Sequence, residues 1–229
     1  MEAQRNNEPV RLSYSRLSTF EQCPQKFDYM YVTKNVQDSG SDATRYGNRV
    51  HESLEYYAKT GDPAAITAET KNYIGMVDRI RNSEGDKYYE YQMAIDANCQ
   101  PCGWMSDEAW IRSIADVLVV NGDRAFCGDW KTGKVRDNPM QLQLFSCMIM
   151  FHFPEVQTVK TSFIWLQHDA FTSATYHRRH LELMWTNLSQ RFAAVQDAVD
   201  LGVFVAKPSP LCGWCAAKEI CPYAKRSRR

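Results

Sequence analysis

The stretch Ile114-Ala115-Asp116-Val117-Leu118-Val119-Val120-Asn121-Gly122-Asp123-Arg124-Ala125-Phe126-Cys127-Gly128-Asp129-Trp130-Lys131-Thr132-Gly133 decides how the chain reads. Two apolar runs flank Asn-Gly-Asp, residue types that suit a tight hairpin because its central positions need positive φ. Strands are therefore expected within Ala109 to Val120 and over Ala125 to Lys131. Residues i and i+2 of a strand share a face, so Asp129 and Lys131 project together, and the hairpin brings Asp116 beside them. Two carboxylates suit a hard divalent cation such as Mg²⁺ or Mn²⁺. An adjacent lysine can position an attacking water or stabilise charge developing on phosphorus. This is the minimum equipment for cutting a phosphodiester bond, although a strand-end aspartate near a lysine is also a common surface pairing.

Upstream of the hairpin the pattern is helical. Ser15 reads as an N-cap before Arg16 to Glu21, and Pro24 interrupts or restarts that helix through Phe27, Tyr29 and Tyr31. Asp38 to Thr44 reads as a polar loop and Gly47 to Lys59 as a helix with Val50, Leu54 and Tyr57 on one side. Pro63 suits the first turn of a further helix reaching Asn82. Tyr88 to Ala97 alternates like a strand. Downstream, Pro139 to Phe153 is an apolar helix, Val159 to Gln167 and Thr172 to Arg178 are strands, and Leu181 to Leu201 is a long amphipathic helix. The layout is α/β or α+β, a small mixed sheet flanked by helices. We expect one domain over residues 1–229: a helical part at 1–86, a catalytic sheet core at 87–178, and a C-terminal helix and cysteine segment at 179–229.

The 229 residues are 44% hydrophobic, enough for a core, and no apolar run approaches the roughly 20 residues of a membrane span. Met1 to Pro9 is polar and lacks the apolar region of a signal peptide. We therefore expect a soluble, cytoplasmic protein. The formal net charge is zero. That neither announces nor excludes a nucleic-acid partner, because an acidic metal site and a basic groove cancel. Two local basic clusters, Arg178-Arg179-His180 and Lys225 to Arg229, are either phosphate-tracking surfaces or solvated charge. Trp104, Trp110 and Trp130 are candidates for stacking on bases or for core packing.

Eight cysteines in such a chain favour metal or cluster ligation over disulfides. Cys212, Cys215 and Cys221 close the chain, and Cys23 stands far upstream. Four thiolates can hold a [4Fe–4S] cluster or a Zn²⁺ ion. Cys99 and Cys102 read as a loop pair without a metal, and Cys127 and Cys147 as core residues.

Further motifs accompany the hairpin. Gly47-Asn48-Arg49-Val50-His51-Glu52-Ser53-Leu54-Glu55 puts a histidine on the upstream helix. Gln141-Leu142-Gln143-Leu144-Phe145 opens the helix after the D-x-K strand. Ser13 to Leu17, Phe20, Cys23-Pro24 and Phe27 complete the order. Together they resemble the RecB-type branch of the PD-(D/E)XK nuclease superfamily, over residues 13 to 223. The resemblance implies that His51, Asp116 and Asp129 ligate the catalytic metal, that Lys131 is the catalytic lysine, and that Gln141 is an auxiliary glutamine. Glu90 stands near a position often acidic in the family, yet Tyr88 to Tyr91 reads equally as an ordinary strand face. Two departures are Ser113, where relatives often carry glycine, and Phe145, where they often carry tyrosine.

The cysteine pattern resembles the iron–sulfur members of the superfamily, among them AddB-type nuclease domains and CRISPR-associated adaptation nucleases. It implies a cluster on Cys23, Cys212, Cys215 and Cys221 joining the chain ends. The implied activity is a metal-dependent DNA exonuclease acting on single-strand or duplex ends in recombination, repair or phage replication, in a bacterial or phage-infected cell. With no G-x-x-x-x-G-K-[ST] loop it has no motor of its own. It would act alone or with a recombinase, helicase or other replication partner. The competing readings are a catalytically silent nucleic-acid-binding iron–sulfur module and a CRISPR-adaptation-type nuclease.

Overall fold

The computed structural model describes residues 10–37, 40–136 and 138–224. Among them the helices α1 (Tyr14–Gln22), α2 (Pro24–Phe27), α3 (Asp42–Thr60) and α4 (Ile74–Arg81) precede the strands β1 (Asp86–Ile95), β2 (Ile111–Asn121) and β3 (Arg124–Lys131); helix α5 (Pro139–His152), strands β4 (Thr158–Trp165) and β5 (Ala170–His177) and helix α6 (Leu181–Leu201) follow. The chain falls into two compact units, residues 40–186 and residues 1–39 with 187–229.

The sheet belongs to the unit of residues 40–186. Its order is β1-β2-β3-β4-β5, antiparallel throughout except for the parallel pair β3–β4. Parallel neighbours need a crossover, and α5 supplies it. The hairpin turn lies at Asn121 to Asp123 as its sequence demands, with Gly122 at φ 57°. One sheet face places Val117, Val119, Trp130 and Ile164 against Val50, Leu54 and Tyr57 of α3 and Val77 of α4. The other packs Phe163 and Trp165 against Leu142 of α5. Most of α5 is buried, which its apolar sequence requires.

The unit of residues 1–39 and 187–229 centres on Phe27, which is fully buried. Its ring meets Phe20 edge-on at 5.5 Å and Phe204 at 6.3 Å. Arg191 pairs with Glu21 at 2.6 Å, and the Lys207 ammonium donates to the Glu21 carbonyl at 3.0 Å.

Several elements depart from the sequence expectation. Ser13, not Ser15, caps α1, its hydroxyl accepting from the Arg16 amide. Residues Asp28–Val32 form a π-helical turn. Helix α3 begins at Asp42, because Ser41 and Thr44 close a capping box and draw part of the supposed loop into the helix. The run after Pro63 is two short 3₁₀ turns before α4 rather than one helix. Arg178 is no phosphate ligand: its guanidinium donates to the carbonyls of Val156, Met150 and Phe153 at 2.7 to 2.8 Å. The basic tail, Lys225 to Arg229, lies outside the described residues.

Candidate active site

Strands β2 and β3 stay paired up to Val117 opposite Gly128. Asp116 and Asp129 are the first residues beyond that last pair, so both carboxylates sit in the crotch where the strands part. The fork is held by the Trp130 amide, which donates to Asp116 Oδ2 at 2.7 Å. Trp130 itself is 2% exposed and anchors the α3 face of the sheet.

Lys131 follows Asp129 by two residues and shares its side of the strand. Its ammonium lies 2.6 Å from Asp129 Oδ2 and 4.9 Å from the centre of the Phe163 ring. Asp129 is 6% exposed. Its Oδ2 has no aligned hydrogen-bond donor among the described residues, so Lys131 meets its charge by an ion pair alone. Gln141, in the first turn of α5, donates to Asp129 Oδ1 at 3.4 Å. The parallel crossover therefore returns α5 to the D-x-K strand end.

His51 approaches from α3, with Nδ1 3.4 Å from Asp116 Oδ2. One turn earlier, Gly47 lets the helix come close: a Cβ there would stand 3.0 Å from Thr132 Oγ1. Glu90 completes the group. Ligand atoms of His51, Glu90 and Asp116 all lie within 4.8 Å of one another. Glu90 sits at φ 51° in mid-strand, a left-handed conformation that costs a non-glycine residue on the order of 1–2 kcal/mol. Around it Tyr89 pairs with Val117 and Tyr91 with Ala115, while Glu90 and Asp116 skip their pairing. Tyr88 and Tyr91, which a regular strand would point to opposite faces, bring their rings within 4.9 Å.

The electrostatics follow from crowding acids out of water. Burial, then the Asp129 charge and Glu90, pushes the Asp116 carboxyl well above the usual carboxylate range, against the opposing Trp130 amide and Lys131. Burial, then Glu55, raises Glu90, while Lys59 and a hydrogen bond with Asp116 pull it down. Burial lowers His51, so its imidazole is neutral near pH 7 and offers a lone pair. Neutral imidazole, clustered carboxylates and an undirected buried carboxylate oxygen are the surroundings a divalent cation relieves.

Of the residues singled out from sequence, His51, Asp116, Asp129, Lys131 and Gln141 converge here. The tight three-residue group contains Glu90 where Asp129 was expected, and Asp129 stands beside it, engaged with Lys131 and Gln141. Position in the chain hinted at Glu90, but its backbone conformation left no sequence signal.

The tryptophans named for stacking pack elsewhere. Trp130 is core, Trp110 meets Trp185 edge-on at 6.3 Å, and Trp104 lies under the Arg112 guanidinium at 4.7 Å. Cys127 and Cys147 are buried, and burial drives the Cys147 thiol up to about 12. Cys23, Cys212, Cys215 and Cys221 line one cavity of about 380 Å³ in the unit of residues 1–39 and 187–229. No helix among the described residues is long and apolar enough to cross a membrane.

Among curated proteins nothing matches the chain. Among solved structures, a "putative exonuclease" from Eubacterium rectale is 11% identical, with a TM-score of 0.53 over 96% of this chain and 89% of that one. The structure of SSO0001 is 13% identical, with a TM-score of 0.45 over 96% of this chain and 90% of that one. The PD-(D/E)XK nuclease superfamily matches residues 11–222, and the chain belongs to that superfamily.

Proposed function

We propose that the protein is a Mg²⁺- or Mn²⁺-dependent deoxyribonuclease, an exonuclease acting on DNA ends in recombination, repair or phage replication. The observation that carries this reading is the meeting of His51, Glu90 and Asp116 within 4.8 Å, beside an Asp129–Lys131 pair at 2.6 Å. The exonuclease part also draws on the name of the similar Eubacterium rectale structure.

His51, Glu90, Asp116 and Asp129 would hold the divalent ion. When bound, that ion supplies Lewis-acid polarisation of the phosphate and a water of lowered pKa. The chain's own groups do the rest. The Asp129 carboxylate orients the Lys131 ammonium, a donor for the attacking water or for a phosphate oxygen gaining charge. Gln141 fixes the other Asp129 oxygen and carries further polar atoms toward the same place. The Trp130 amide keeps Asp116 turned into the fork.

We further propose that Cys23, Cys212, Cys215 and Cys221 hold a [4Fe–4S] cluster that staples the two ends of the chain. Their common cavity supports this.

The test is cleavage by anaerobically purified protein of 5′- and 3′-labelled single-strand and duplex DNA with Mg²⁺, Mn²⁺ or EDTA. Label loss that needs both metal and Lys131 supports the reading, and the labelled end gives polarity. Undiminished cleavage by a folded Lys131→Ala protein would sink the assignment. Zinc without iron in the purified protein would overturn the cluster.

A further inference from the structure

Stacking on a nucleobase needs an aromatic ring in solvent, and Trp214 is the tryptophan that offers one, at 89% exposure. The other five are packed or partly buried. Leaving an indole in water forfeits about 2–3 kcal/mol of burial. Trp214 ends a short 3₁₀ turn, Pro210–Trp214, whose capping box through Ser209 and Cys212 holds the backbone in place. Its surroundings are cationic. Lys26 and Lys207 line the same cavity as Trp214, and exposed Lys218 follows four residues on. Leu211 and Tyr223 add exposed apolar surface at 72% and 39%.

Charge along the sequence points the same way. Residues 201–229 carry six of the 27 Lys and Arg but one of the 27 Asp and Glu, Glu219; Lys207 and Lys218 are the two within the described stretch, and the other four, at 225–229, lie outside the described residues. The chain is neutral as a whole, so its first 200 residues are net acidic. A basic segment bearing a solvent-facing indole has the chemistry of a single-strand binder: cations follow the phosphates, and the ring takes a base whatever its identity.

We infer that the segment around Trp214 is a holding site for single-stranded DNA, with a base stacked on Trp214 and phosphates near Lys26, Lys207 and Lys218. This rests on the nuclease reading for the identity of the strand, and it adds a contact outside the metal-binding group. It also gives the C-terminal segment a binding task beyond carrying cysteines.

The experiment measures binding rather than cleavage. Full-length protein in EDTA is titrated against a fluorescent oligo-deoxythymidine of about 20 nucleotides, single-stranded or as a duplex, over a series of salt concentrations. Trp214→Ala should weaken single-strand binding by about tenfold, the loss of one stacked base. Trp214→Phe should restore most of it, duplex binding should change less, and Lys218→Ala should flatten the salt dependence. Unchanged single-strand affinity in Trp214→Ala overturns the inference even if the enzyme cleaves. Loss of bound iron, or a change of oligomeric state by light scattering, also overturns it, since the indole would then shield a cluster or join two copies. Failure to cleave together with Trp214-dependent binding would remove the nuclease reading and leave this site standing.

Discussion

Gly47 on α3 and Thr132, just past β3, are in contact so close that one added carbon on Gly47 would stand 3.0 Å from the threonine hydroxyl. His51 lies one turn further along the same helix and reaches Asp116 at 3.4 Å. Gly47→Ala favours the helix by up to about 1 kcal/mol, but it obliges Thr132 or the helix to move by tenths of an ångström. Cleavage should fall several-fold while the melting temperature holds or rises. A steady-state assay beside thermal denaturation checks this, and an unchanged kcat/KM would show that the contact does not set the position of His51.

Burial first, and then the neighbouring Asp129 charge, push the Asp116 carboxyl well above the usual carboxylate range. Its raised pKa means that the folded protein binds a proton more readily than the unfolded chain. Stability is therefore greatest, for this group, below the ordinary carboxylate pKa, and it is lost as pH rises toward the raised value. Metal-free Asp116→Asn should melt higher than wild type at pH 7, and the two should converge on acidification. Mn²⁺ should stabilise wild type and do little for the variant. Calorimetry in EDTA and in Mn²⁺ reads both effects.

Arg178 looked like part of a phosphate-binding cluster but clamps three carbonyls around the end of α5. Arg178→Ala should cost about 2–3 kcal/mol of stability, the scale of hydrogen bonds to a charged donor. It should leave the salt dependence of DNA binding as it was. A flatter salt slope would return the residue to the DNA surface.

Two classes of thiol should separate in iron and labelling measurements. Cys215→Ser should lose iron and melt lower, whereas the double variant Cys99→Ser, Cys102→Ser should keep its iron. Cys147, with its thiol pushed up to about 12, should resist iodoacetamide in native protein, because the reactive thiolate is scarcely populated. Iron loss in the double variant would draw Cys99 and Cys102 into the ligand set.

How much was legible in the sequence differs from element to element for physical reasons. The Asn121-Gly122-Asp123 turn fixed the hairpin, and through it the proximity of Asp116, Asp129 and Lys131, because few residues accept positive φ. Helix α6 kept its expected limits. The start of α3 was misread because its capping box uses Thr44 rather than a glutamate or glutamine, a weaker signal. Glu90 was hidden because alternation assumes a regular strand, and its left-handed backbone breaks that assumption. Charge alone could not separate Arg178, turned inward to carbonyls, from a solvated cation, nor could residue type separate Trp214 from the five tryptophans that are buried or partly buried.

The missing rung at Glu90 and Asp116 has a consequence for solubility as well as for chemistry. Strand β1 is at one end of the sheet order, where an uninterrupted row of amides and carbonyls would invite another chain to add itself. Its ladder to β2 runs from Asp86 to Tyr89 and resumes at Tyr91, so no single straight template spans the strand. The same twist of backbone that delivers a carboxylate to the fork makes this border a poor seed for β-aggregation.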